Sequence, residues 1–298
     1  MSSPKAASTS VNPTSPVSEE VIRYIQNVKA DRQYDWKQPI NFYGKVVDES
    51  NQPAADADVH FVWNDLSEKG TSEADTKSDA SGLFSLTDRH GKGISVTVSK
   101  NGYYTPKGES LSSYEYANPA DGLFTPDAAN PVVFHLHKKG QAEIMIHGLK
   151  LFGLRTDGTL CYVDLVEGKA KPNPPVDLIL QCKRSQTDDQ KRFDWEFTLA
   201  APGGGLIEST NEFDFIAPED GYQPSVQIHH AAADADWVGQ EKHKFLLKNE
   251  EGHHYARIEV TSIPDYNANA ACDIEWFLNP AGSRNLEADA QHTVQAGQ

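Results

Sequence analysis

Apolar residues along this chain fall into two rhythms. In "SEEVIRYIQNVKAD", residues 18–31, Ile22, Ile25 and Val28 recur on one helical face. Ser18 stands as the N-cap, and Glu19 and Glu20 fill the first turn, where carboxylates favour the helix dipole. The spacing predicts a short amphipathic helix over 18–31, packed on a domain. From residue 39 the period becomes two. Phe42, Gly44 and Val46 alternate with Asn41, Tyr43 and Lys45; Val59, Phe61 and Trp63 share a face, as do Ile94, Val96 and Val98, and Val132, Phe134 and Leu136. Such alternation predicts half-buried antiparallel strands. The clusters "DESNQP", "SDASG" and "KNG" separate them as turns. Residues 39–139 therefore read as one small β-sandwich.

The same rhythm returns over 141–287. Phe193, Trp195, Phe197 and Leu199 form one inward row, Ala256, Ile258 and Val260 a second, and Cys272, Ile274, Trp276 and Leu278 a third. Helical periodicity is nearly absent. A second sandwich of jelly-roll type fits this pattern, so the fold class is all-β: two antiparallel β-sandwiches behind one short helix. Residues 1–17 are rich in Ser, Thr and Pro and read as a disordered linker; residues 288–298 are polar and read as a flexible tail.

The balance of 38% hydrophobic and 23% charged residues is that of a globular chain. A net charge of −16 repels phosphate and anionic lipid, which sets aside nucleic acid and membrane surfaces as partners. It suits plain solubility, association with cations, or a neutral ligand such as a polysaccharide. No apolar run reaches the length of a membrane helix. The start has no apolar signal core, and we read it as a linker whose export signal or anchor has been removed. Cys161, Cys182 and Cys272 lack zinc-finger spacing. They leave two readings: a disulfide such as Cys161–Cys182 with one free thiol, or three buried small apolar side chains.

Three stretches, "GKVVDESNQPAADADVHF", "TKSDASGLFSL" and "ISVTVSKNGYY", occur in order and at family-like spacing. Together they resemble the carboxypeptidase regulatory-like domain over about residues 39–138. That resemblance implies a transthyretin-like Greek-key sandwich serving as a non-catalytic accessory module, loosely associated with carbohydrate-binding-like folds. Locally, Gly44 leaves room where strands approach, Asp48 and Pro53 shape a turn, and Asp79 with Gly82 release Phe84 into the core. Gly102 can adopt positive φ. The peptidase's H-x-x-E zinc motif is missing. The second region is similar to the C-terminal part of uncharacterised bacterial cell-envelope proteins that carry such a sandwich in front.

A long stretch without clear structure follows Lys100. It holds Tyr103, Tyr104, Tyr114, Tyr116 and Phe124. Flat rings with Asn101 and Asp121 nearby suit a sugar ligand, with Trp237 as a further stacking surface; alternatively the rings pin an Ω-loop to the sandwich. Other constellations read as structural. His229 and His230 precede Asp234 and Asp236, and His253 adjoins His254, but neighbouring strand residues point to opposite faces. The acid pairs Asp194/Glu196 and Asp273/Glu275 have the separation of glycosidase carboxylates, yet fit a solvated strand face. Neither a nucleophile elbow nor a phosphate loop is present.

The expectation is a non-catalytic extracytoplasmic binding or scaffold protein, taking a saccharide or an envelope protein and needing no cofactor or metal. The alternatives are a glycosidase-type enzyme and a purely structural or adhesive protein.

Overall fold

The computed structural model describes residues 18–185, 191–249 and 253–297. The sequence-based linker, residues 1–17, lies outside the described residues. The described residues are all-β apart from one α-helix and two single 3-10 turns, and the chain divides into two compact units, 1–139 and 140–298. No helix among the described residues is long and apolar enough to cross a membrane.

In the first unit, helix α1 (Glu19–Ala30) begins where the sequence predicts, with Ser18 Oγ accepting from the Val21 amide at 3.3 Å. Its packed face is rotated from the predicted one. Val21, Tyr24 and Val28 are partly buried, whereas Ile22 and Ile25 are exposed. The cause is Tyr24, whose hydroxyl donates to Asp35 Oδ2 and whose ring meets Tyr34 edge-on.

The strands of this unit are β1 (Pro39–Val47), β2 (Asp58–Asn64), β3 (Thr71–Lys77), β4 (Leu83–His90), β5 (Gly93–Ser99), β6 (Tyr103–Tyr104), β7 (Ser112–Glu115), β8 (Val132–His135) and β9 (His137–Lys138). A three-stranded sheet, β4-β1-β8, and a four-stranded sheet, β3-β2-β5-β7, share one core that includes Phe42, Phe61, Phe84, Val96 and Phe134. All pairs are antiparallel except β1–β8, which is parallel. The two acidic turns use one device. Asp48 Oδ1 accepts from the Ser50 and Gln52 amides, and Asp79 Oδ1 from the Ser81 and Leu83 amides. Gly44 faces Phe84 across the β1–β4 ladder, and a Cβ there would stand inside the Phe84 ring. The long stretch after Lys100 is better ordered than its sequence suggests. It contributes β6 and β7, because backbone ladders with β9 and β5 need no apolar run.

The second unit contains β10 (Met145–Leu154), β11 (Cys161–Asp164), β12 (Lys169–Lys171), β13 (Leu178–Arg184), β14 (Trp195–Ala200), β15 (Gly205–Glu208), β16 (Ser225–His230), β17 (Glu241–Asn249), β18 (His254–Tyr266), β19 (Asn269–Asn279) and β20 (Thr293–Gln295). A six-stranded sheet, β15-β17-β18-β19-β10-β20, and a five-stranded sheet, β12-β11-β13-β14-β16, enclose a single core. The chain passes between the sheets at β10–β11, β14–β15, β15–β16 and β16–β17, while β17-β18-β19 run as a meander. The inward rows read from the sequence are buried as expected, with Trp195 and Trp276 at 1% exposure. The reading of 288–298 as a flexible tail is corrected. β20 pairs in parallel with β10, and the Ala296 amide donates to His147 O at 2.8 Å. Polar side chains do not prevent a backbone from completing a sheet edge.

Candidate functional site

The sequence-predicted ligand loop is used for packing. Tyr114 sits 4.9 Å from Phe42 and 4.7 Å from Phe124, ring centre to ring centre. The Tyr116 hydroxyl donates to Asn41 O at 2.6 Å, and burial pushes both phenols above their ordinary pKa. Tyr103 and Tyr104 form β6, covered by the ammonium groups of Lys100 and Lys139 at 5.5 and 4.9 Å. Asn101 is exposed in the preceding turn, and Asp121 is exposed and accepts from Asn118 Nδ2. Trp237 belongs to the second unit, where its indole N–H donates to Phe193 O. The structure thus packs Tyr114, Tyr116 and Phe124, each partly buried, against the core. Tyr103 is half-buried against the same core.

A different concavity opens in the first unit, a groove of about 550 Å³. Three segments build it: the 3-10 turn Tyr34–Lys37, the end of β2 with its following turn, and the end of β4. A bulge aims the last of these. Ile40 pairs with Arg89 and Phe42 with Leu86, so β4 carries an extra residue opposite Asn41. Asp88 takes φ +58°, and its amide donates to Asn41 Oδ1. Bulges of this kind re-aim side chains, and here Arg89 swings over the Trp63 ring, 5.8 Å from its centre.

Trp63 is nearly buried and forms part of the core; the half-exposed Trp36 indole and the exposed His90 ring make no polar side-chain contact among the described residues. Burial opposes ionisation of Asp65, but hydrogen bonds from Ser67, Ser72 and the Trp63 indole outweigh it and hold its carboxyl below the usual range. The groove therefore offers one free indole plate, one free imidazole, the carboxylates of Asp65 and Asp88, and a guanidinium. The signal in the sequence was slight: Trp36 in "QYDWKQP" falls outside any alternation.

Several of the remaining sequence candidates are occupied. Asp194 accepts from the Ala232 amide, Glu196 pairs with Lys183 at 3.2 Å, and Glu275 with His147 at 3.1 Å. His229 is exposed while His230 turns inward, as alternation requires. His254 Nδ1 lies 3.1 Å from Asp177, a nearly buried carboxylate that also accepts from the Leu165 amide and the Asn249 amide group. The three cysteines are free thiols with no bridge between Cys161 and Cys182. Burial pushes all three up, Cys182 to about 11, so they pack as small apolar groups.

No family model matches this chain, and no curated protein matches it. Among solved structures it is similar over 35% of its length to a 3-chlorocatechol 1,2-dioxygenase from Rhodococcus opacus, at 14% identity and a TM-score of 0.27, spanning 60% of that chain. It is similar over 58% of its length to a pilus adhesin from Streptococcus pneumoniae, at 14% identity and a TM-score of 0.22, spanning 21% of that chain. Likenesses this low carry no argument about activity.

Proposed function

We propose that this protein is a non-catalytic binding or scaffold module whose ligand is a neutral saccharide held in the Trp36 groove. The observation that carries this reading is the half-exposed Trp36 indole in a groove that is also lined by Asp65, Asp88, Arg89 and His90. An indole face stacks on the apolar face of a sugar ring, and the carboxylates of Asp65 and Asp88 accept from hydroxyls while Arg89 and His90 donate to them. The balance of charges in the groove disfavours a polyanion or polycation. None of the acids of the pairs Asp194/Glu196 and Asp273/Glu275 is buried, and Glu196 and Glu275 are engaged by Lys183 and His147, which does not suit a glycosidase couple. The carboxypeptidase regulatory-like assignment of 39–138 belongs to the same reading and is supported by the paired Asp48 and Asp79 turns and by Gly44 under Phe84. Placement outside the cytoplasm, with an envelope polymer as the ligand, is part of the same proposal.

The test is a neutral-glycan array followed by calorimetry on the full chain. We expect Trp36→Ala to weaken binding at least tenfold, about 1.4 kcal/mol, while Tyr103→Ala leaves it unchanged. Binding lost with Tyr103→Ala and kept in Trp36→Ala returns the site to the tyrosine loop. Binding of no neutral glycan overturns the saccharide reading.

A further inference from the structure

The six-stranded sheet of the second unit ends on β20, and β20 is too short to close it. It pairs with β10 only over Met145–His147. Two bonds fix which backbone groups face that side: the Met145 amide donates to His292 O, and the Ala296 amide donates to His147 O, each at 2.8 Å. Along a strand this direction recurs at every second residue. Leu149, Leu151 and Gly153 therefore aim their amides and carbonyls away from β19. There the edge is open. The chain leaves it at Gly297, whose amide turns to Val166 O. Among the described residues no strand, bridge or turn takes up the three amides and three carbonyls beyond.

The side chains beside this opening are apolar. Phe152 and Leu154 point into the core, so Leu149 and Leu151 stand on the outer face, 66% and 41% exposed. A side chain at Gly153 would meet nothing within 4 Å. Lys150, the one charged residue of the stretch, is drawn off to Gly168 O. Other edges are guarded: β3 carries Glu73, Asp75 and Lys77, and β12 carries Lys169 and Lys171. Charged side chains keep a sheet edge from pairing with another chain, and an edge without them is a template for a further strand.

We propose that the occupant is a second copy of this chain, paired antiparallel through residues 149–153 of β10 about a two-fold axis at Leu151. The stretch is complementary to itself. Leu151 meets its own counterpart, and Leu149 comes opposite Gly153, where there is room. The amides of one copy meet the carbonyls of the other, and the reverse, as a two-fold interface requires. Lys150 comes opposite Phe152, so no like charges are opposed. The nearest acids, Asp273 beside Leu151 and Glu275 beside Leu149, lie on β19. Three strand spacings, about 14 Å, separate Asp273 from its counterpart, beyond the ~8 Å reach of exposed charge at physiological salt.

Analytical ultracentrifugation of the full chain should show the mass doubling as concentration rises from micromolar to submillimolar. Added salt should tighten the pair, because each copy carries a net charge of −16. Leu151→Lys sets two ammonium groups face to face and should weaken pairing at least tenfold. Leu151 is exposed in the single copy, so this variant should melt as the parent does in dilute solution. Leu111→Lys, at an exposed leucine of the first unit, should leave pairing unchanged. Leu151→Lys and Leu151→Glu, each monomeric alone, should pair when mixed, which tests the axis as well as the strand. Deuterium exchange, which needs no variant, should slow at Leu149, Leu151 and Gly153 as concentration rises. A chain that stays monomeric, a dimer that Leu151→Lys leaves intact, a mixture that fails to pair, or a dimer without that protection overturns the proposal. A monomer that takes up an extended peptide of another protein at this edge overturns it equally.

Discussion

Gly44 and Gly148 do the same work in the two units. Each lies directly across an antiparallel ladder from a large ring, Phe84 in one case and Trp276 in the other, and that ring occupies the space a Cβ would need. Gly148→Ala should therefore cost ~1–3 kcal/mol through overpacking, read as a lower urea midpoint at unchanged slope. A cost near zero would show that Trp276 can move aside. Asp177 gives the residue-scale prediction for pH. Burial opposes its ionisation, but hydrogen bonds from His254, the Leu165 amide and Asn249 outweigh this and hold its carboxyl below the ordinary 3.8. The folded state then binds fewer protons than the unfolded state between the two values. The stabilisation is whole above pH 3.8 and fades as pH falls through the depressed folded value. Asp177→Asn should flatten the acid limb of the stability curve below about pH 5, measured as urea midpoints; an unchanged limb would exclude Asp177 as its source.

At the scale of elements, burial decides what a change can do. Helix α1 has no fully buried residue, so losing its cap loosens the helix without threatening the fold. Ser18→Ala should speed amide exchange across 19–30, by about 1 kcal/mol of local stability, and leave the melting temperature unmoved. Tyr116 is the opposite case. Its hydroxyl satisfies the carbonyl of Asn41 beside the bulge that aims Asp88 and Arg89. Tyr116→Phe should cost ~1 kcal/mol and, if the bulge shifts, also weaken the groove. Strand β3 shows how an element hides from its own sequence. "TSEADTK" has a single apolar residue, yet all seven residues pair with β2. Hydrogen bonding to a strongly patterned neighbour is enough to hold an edge strand, so periodicity alone passes over it.

At the scale of the whole chain, the two units each close their own core, and the largest buried rings divide between them. Residues 140–298 expressed alone should give a β-type circular dichroism spectrum and a cooperative melt; a fragment without a cooperative transition would contradict a self-sufficient core. The all-β class, the inward rows and the helix start were all determined by the sequence, because side-chain alternation and capping are local properties that survive without knowledge of partners. So were the Asp48 and Asp79 turns, whose hydrogen bonds span only four residues. Pairing partners were not. The parallel ladders β1–β8 and β10–β20 join residues about ninety and a hundred and fifty positions apart, and nothing in either stretch names the other. The same distance hides both the groove and the open edge. Trp36, Asp65 and His90 meet only because a bulge and two turns converge, and Leu149 and Leu151 border an open edge only because β20 pairs no further than His147. The rings of the tyrosine loop pack partly against the core for the related reason that a ring's type is written in the sequence, while the face it turns to water is set by what else needs covering.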